Sequence, residues 1–270
     1  MNIPIPNGHK VLFLSHGGGP LPILGDAGHK EMVDNLKLIT AKIEKPTAIL
    51  VISAHWEENL PTIIHGARPS LIYDYYGFPE QAYRIQYPAP GEPGLAQEVF
   101  SVLNDNGVEA RLEDQRGFDH GLYIPLKIMY PEADIPCIQL SLVDSLDPQV
   151  HINMGEALSQ LKREGLLILG SGFSFHNMRA FFERDSNESK TKNESFEKWL
   201  IDTCSNQAID EVERIHRLVN WENAPYARYC HPREEHLLPL HVCYGVAKRA
   251  CSEFFELNIL NKKASVYLWC

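Results

Sequence analysis

Histidine is the residue type whose placement in this chain can do chemistry. Three of its twelve histidines follow apolar runs that suit strands buried on both faces. His16 follows Val-Leu-Phe-Leu-Ser (11–15), His55 follows Ala-Ile-Leu-Val-Ile-Ser-Ala (48–54), and His176 follows a run that starts at Leu166. Sheets of α/β proteins gather their ligands at the carboxyl ends of strands, and neutral imidazole is a good nitrogen donor to a transition metal. Three strand ends that each release one histidine form the plan of a metal site. Gly17, Gly18, Gly19 and Pro20 after His16 stop any regular element and let backbone approach whatever the ring holds.

His16 and His55 form the strongest pair, although either alone equally suits a histidine that caps a strand end or bonds a loop. His176 follows Gly-Ser-Gly (170–172) and suits either a third ligand or an acid/base group beside the metal. His120 sits in Phe118-Asp119-His120-Gly121, where Asp119 is placed to orient the ring. The segment His231-Pro232-Arg233-Glu234-Glu235-His236 is a near miss for the zinc-hydrolase pattern His-x-x-Glu-His. Its histidines are five apart and Pro232 follows the first, so one helix face cannot present both to one ion. His231, in the loop, is then the expected ligand, and His236 either faces the substrate or packs at a helix start. His241 takes a core or surface role, and His9, His29, His65, His151 and His216 are set aside. Glu57, Glu58, Glu234 and Glu235 leave open an iron site of two histidines and one carboxylate.

Other classes fit less well. A formal charge of −10 argues against nucleic-acid binding, and no apolar run approaches the roughly 20 residues of a membrane span. Met1–Lys10 does not resemble a secretory signal, which makes cytoplasm the default location. The six cysteines contain no Cys-x-x-Cys pair and suit reduced structural thiols. The glycines at 17–19 and 170–172 match neither a phosphate-binding loop, a dinucleotide fingerprint nor a Gly-x-Ser-x-Gly nucleophile elbow.

Helical and strand patterns alternate along the chain, which predicts an α/β fold: one domain over residues 1–270, with a central mixed, mostly parallel sheet flanked by helices. Strands are expected at 11–14, 48–53, 61–65, 136–142, 166–169, 253–257 and 265–269. Helices are expected from an Asp26 cap to about 44, over 92–104, over 122–130 with Pro125 in the first turn, over 148–164, and from 196 through His216. The polar tract 183–195 is expected to be an exposed loop, and 70–90 a structured loop rich in tyrosine and proline.

Five segments in order are more specific than any one of them. Ser15-His16-Gly17-Gly18-Gly19-Pro20, Ser53-Ala54-His55-Trp56-Glu57, Asp119-His120-Gly121, Gly170-Ser171-Gly172 through His176-Asn177, and His231-Pro232-x-x-Glu235-His236 together resemble the class III extradiol ring-cleavage dioxygenases. Tyr73–Pro79 and Tyr87–Gly91 point to the 4,5-DOPA dioxygenase branch of that LigB-like family. The resemblance runs from residue 11 to about 247 and implies a non-haem Fe(II) enzyme that opens a catechol ring with O2. It implies no nucleic-acid or membrane partner and leaves the oligomeric state open. Zinc is often held in this branch, so Zn(II) in the site would not exclude iron as the working metal. By motif, His16, His55 and His231 match metal positions, His176 the acid/base residue and His120 a second active-site histidine. The broader family places a glutamate as third ligand, where this chain offers His231.

Two other readings compete. A zinc-dependent hydrolase would use the same histidines to activate water and be indifferent to oxygen. A non-catalytic relative would keep the fold and bind a partner, but the complete histidine set argues against it.

Overall fold

The computed structural model describes residues 9–182 and 186–270. Among them, β1 (Lys10–Ser15) leads through a 3-10 turn (Ala27–His29) to α1 (Lys30–Lys42), followed by β2 (Ala48–Glu58) and β3 (Thr62–Ile64). A long connection reaches α2 (Pro93–Asp105), β4 (Arg111–Glu113), α3 (His120–Met129), β5 (Cys137–Val143), α4 (Pro148–Leu158) and β6 (Leu166–Gly172). The remaining helices are α5 (Met178–Phe182), α6 (Asn187–Ser205), α7 (Glu211–Val219), α8 (Ala227–Cys230) and α9 (Leu238–Ala247), before β7 (Glu253–Ile259) and β8 (Lys262–Trp269).

The strands form one mixed sheet in the order β4-β3-β5-β2-β6-β1-β8-β7. Its centre, β5-β2-β6-β1, is parallel, and β8 and β7 extend it antiparallel. Each central strand is apolar on both sides because each side meets helices. Val11 and Phe13 of β1, Leu50 and Ile52 of β2, and Leu166 and Ile168 of β6 pack with α2, α4, α6 and α9. Their neighbours Leu12, Leu14, Ile49, Val51, Leu167 and Leu169 face the opposite core, with α1 and α3. Fixing the strands from both sides fixes the points at which they end.

Several boundaries differ from expectation for identifiable reasons. Residues 187–195, expected as loop, belong to α6; the Ser186 side chain caps that helix by accepting from the Ser189 N–H at 3.0 Å. Residues 183–185 of the same tract lie outside the described residues. Asp26 does not cap a helix with its side chain. Its carboxylate meets His29 Nδ1 at 2.7 Å, and His29 Nε2 accepts from the Gly18 N–H at 2.9 Å. His29, set aside above, is thus a buried buttress of the glycine loop. Helix α3 begins at His120, so Pro125 falls inside it rather than in its first turn. The short edge strand β4 was not anticipated.

Candidate metal centre

Strands β1, β2 and β6 end side by side, and the histidines arrive there along separate routes. His16 directly follows β1, and its N–H donates to Gly172 O at the end of β6 at 2.9 Å. His55 lies within β2, where the register against β5 breaks between Ile52 and Glu57. His120 is the first residue of α3. A Cβ on Gly121 would stand 2.5 Å from Ser53 Oγ, so only glycine lets that helix start so close to β2. His236 lies in the turn before α9, and its carbonyl accepts from the Phe173 N–H at 2.9 Å. A Cβ on Gly172 would sit 2.2 Å from that carbonyl oxygen, which explains the glycine at the strand end.

His16, His55 and His236 each offer a nitrogen, and the three atoms lie within 4.8 Å of one another. His16 Nε2 and His55 Nε2 face each other at 3.0 Å. The ring centroids are 4.9 Å apart for His16 and His55, 5.3 Å for His16 and His236, and 4.8 Å for His55 and His236. Burial holds His16 well below the usual imidazole pKa, and the neighbouring histidines His55, His236, His120 and His176 push it further down. Burial does the same for His55, aided by His120 and opposed by Asp74, and for His236, aided by His176 and His55. These rings are neutral and present lone pairs, the state a metal requires.

The other ring nitrogens are tied from behind. Ser171 Oγ donates its single hydrogen to Gly121 O, so it must accept from His16 Nδ1, 3.0 Å away. The Gly121 carbonyl is free for that bond because Pro125, four residues on in α3, has no N–H to give it. Asp74 Oδ1 lies 2.8 Å from His120 Nδ1 and accepts the His120 backbone N–H at 3.0 Å. Burial, the largest single influence, would raise the Asp74 carboxyl, but hydrogen bonding and charge from His120 together with the charge of His55 bring the net shift downward. Glu235 Oε1 lies 2.9 Å from His236 Nδ1 and 3.0 Å from His176 Nδ1. In His16 and His236 Nε2 is the nitrogen left over, and in His120 and His176 it is the nitrogen away from the carboxylate.

Two further triads, His55-Asp74-His120 and His176-Glu235-His236, meet the same distance criterion. Each of those two contains a carboxylate already placed against imidazole Nδ1 atoms, whereas the triad of His16, His55 and His236 is made of imidazoles alone. The all-histidine triad is the arrangement that offers nitrogen donors only. It shares His55 with one alternative and His236 with the other.

His231, expected as the third ligand, is not brought to this triad, and His236 stands there instead. His231 is fully buried, its Nε2 donates to the Ser174 carbonyl at 2.7 Å, and its ring packs against Phe196 and Trp221. Burial lowers its pKa to about 3. Asp119 does not orient His120 either. It accepts from Ser53 Oγ at 2.8 Å and from the Gln139 amide, and pairs with Arg116 at 3.2 Å. Asp74, which does orient that ring, comes from the tyrosine-rich loop, and the only hint of it was the Tyr-Asp-Tyr at its centre. Tyr75 of that loop meets His120 edge-on at 5.7 Å.

A model of the family described as "Catalytic LigB subunit of aromatic ring-opening dioxygenase" matches residues 11–267. The chain is 41% identical over 251 residues to the dioxygenase tasH of Hapsidospora irregularis, covering 88% of this chain and 78% of that protein. It is 37% identical to the 4,5-DOPA dioxygenase extradiol of Beta vulgaris, over 88% of this chain and 87% of that one. A crystal structure of an uncharacterized Escherichia coli K12 protein, JW3007, superposes with a TM-score of 0.76 at 29% identity, covering 97% of this chain and 99% of the other.

Proposed function

This chain belongs to the LigB family of aromatic ring-opening dioxygenases, and from that premise we propose that it cleaves a catechol such as DOPA next to its hydroxyl pair, using O2 and a non-haem Fe(II) held by His16, His55 and His236. The observation that carries the metal assignment is the convergence of three imidazole nitrogens within 4.8 Å of one another, on rings that burial keeps neutral. When bound, the ion supplies open coordination positions and a positive charge that lowers the pKa of a catechol hydroxyl.

The protein's own groups do the rest. His176, partly exposed and placed with Nδ1 against Glu235, accepts a catechol proton at Nε2 and later returns it. His120, held at Nδ1 by Asp74, presents Nε2 as a hydrogen-bonding group for the substrate's oxygens. The tyrosine-rich loop carrying Tyr73 and Tyr75 walls the aromatic ring. All six thiols are unpaired, in keeping with a reducing compartment such as the cytoplasm.

Anaerobic loading of the apoprotein with Fe(II), followed by oxygen uptake with L-DOPA and a small catechol panel, tests this reading. Uptake with iron alone, together with a new visible absorbance from a ring-opened semialdehyde, supports it. Three histidines also suit a catalytic zinc. Turnover of esters or amides by the Zn(II) form, with no oxygen uptake by the iron form, would replace the dioxygenase reading with a hydrolase.

A further inference from the structure

We propose that Glu235 is a positioning residue that clamps the proton-transfer histidine onto a metal ligand through a single carboxylate oxygen. This rests on the assignment of His236 and His176 just given. Glu235 Oε1 lies against both Nδ1 atoms, hydrogen-bonded to that of His236 at 2.9 Å and 3.0 Å from that of His176. The two rings are stacked with centroids 3.4 Å apart and planes within 17°. Two near-parallel imidazoles with Nδ1 at one oxygen must both carry Nε2 on the far side. The ligand nitrogen and the proton-transfer nitrogen are then separated by little more than the stacking distance. A substrate oxygen held at the ion therefore falls within reach of His176 without any further motion.

The clamp is itself anchored to the sheet. Arg233 holds Glu57 with two bonds, at 2.5 and 2.6 Å, and its Nη1 lies 3.5 Å from Glu235 Oε2. Glu57 is two residues beyond His55 in β2. The turn that bears His236 is thereby tied to the strand that bears His55.

The test compares full-length wild type with Glu235→Ala and Glu235→Gln, using Co(II) affinity by chelator competition, the visible spectrum of the Co(II) form, and kcat and KM of the iron form. For Glu235→Ala the clamp predicts a loss of about 10- to 100-fold in Co(II) affinity. It also predicts an altered Co(II) spectrum and a fall in kcat larger than any rise in KM. Glu235→Gln keeps an acceptor oxygen and restores most of the Co(II) affinity. Wild-type Co(II) affinity and kcat in Glu235→Ala would overturn the proposal, as would an equal loss of affinity in both variants. Failure of the dioxygenase reading looks different: wild type binds Co(II) tightly, yet its iron form consumes no oxygen with any catechol.

Discussion

His231 and His236 stand five residues apart and do different work, which substitution separates. His236→Ala should abolish stoichiometric metal binding at little cost to the apoprotein's melting temperature. His231→Ala removes a ring packed between Phe196 and Trp221 and its bond to Ser174, and should destabilise by about 2–4 kcal/mol while metal content is retained. Thermal melts and metal analysis of the two variants decide the matter. His176→Ala should lower kcat by about 10²–10⁴-fold with metal content nearly intact, whereas lost metal would make His176 a ligand. The sequence shows that His231 and His236 cannot share one helix face, and neither lies in a helix: α8 ends at Cys230 and α9 starts at Leu238. Which of the two turns inward is decided by the Ser174 carbonyl and by Glu235, long-range and neighbouring partners that spacing alone does not reveal. Asp74 was illegible for the same reason, lying 46 residues from the ring it orients.

Elements were readable where composition reports burial directly. Strands β1, β2 and β6 are legible as apolar runs; His16 directly follows β1 as expected, whereas His55 lies inside β2 and His176 comes four residues after β6, outside the histidine triad. Helix α6 was hidden because its inner face begins with polar residues. Ser189, Asn193, Phe196, Glu197 and Leu200 follow helical spacing and are buried, yet only Phe196 and Leu200 register as hydrophobic. Ser189 and Asn193 are satisfied by partners outside the helix: Ser189 by the Tyr229 hydroxyl, and Asn193 by the Lys263 backbone in β8. Glu197 accepts from Ser265 Oγ at 2.8 Å, and burial pushes its carboxyl from 4.5 up to about 7. The folded chain therefore holds this proton where the unfolded chain has lost it. Stability from this group is full below the unfolded pKa and falls as pH rises to about 7, by on the order of 3 kcal/mol. Glu197→Gln should flatten that slope, so denaturant melts at pH 5 and pH 8 should differ less in the variant than in wild type.

At the scale of the whole molecule, two apolar cores on opposite faces of one sheet hold the strand ends apart from any ligand. The metal is then a guest of a fold that stands without it. Chelation should leave far-UV circular dichroism unchanged and lower the melting temperature only by linkage, about 2.7 kcal/mol for a metal at 100 times its Kd. Because His55 and His236 each belong to two triads, the chain should take up one equivalent of metal, read by titration with Co(II). Pro125 ties local helix quality to this global property. An interior helical proline is unfavourable by about 3 kcal/mol relative to alanine. Pro125→Ala would restore an N–H aimed at Gly121 O, which would then share that acceptor with Ser171 and loosen its hold on the His16 tautomer. The variant should melt higher and bind Co(II) more weakly. A laboratory selection for heat resistance alone would discard this proline, and one for turnover would keep it.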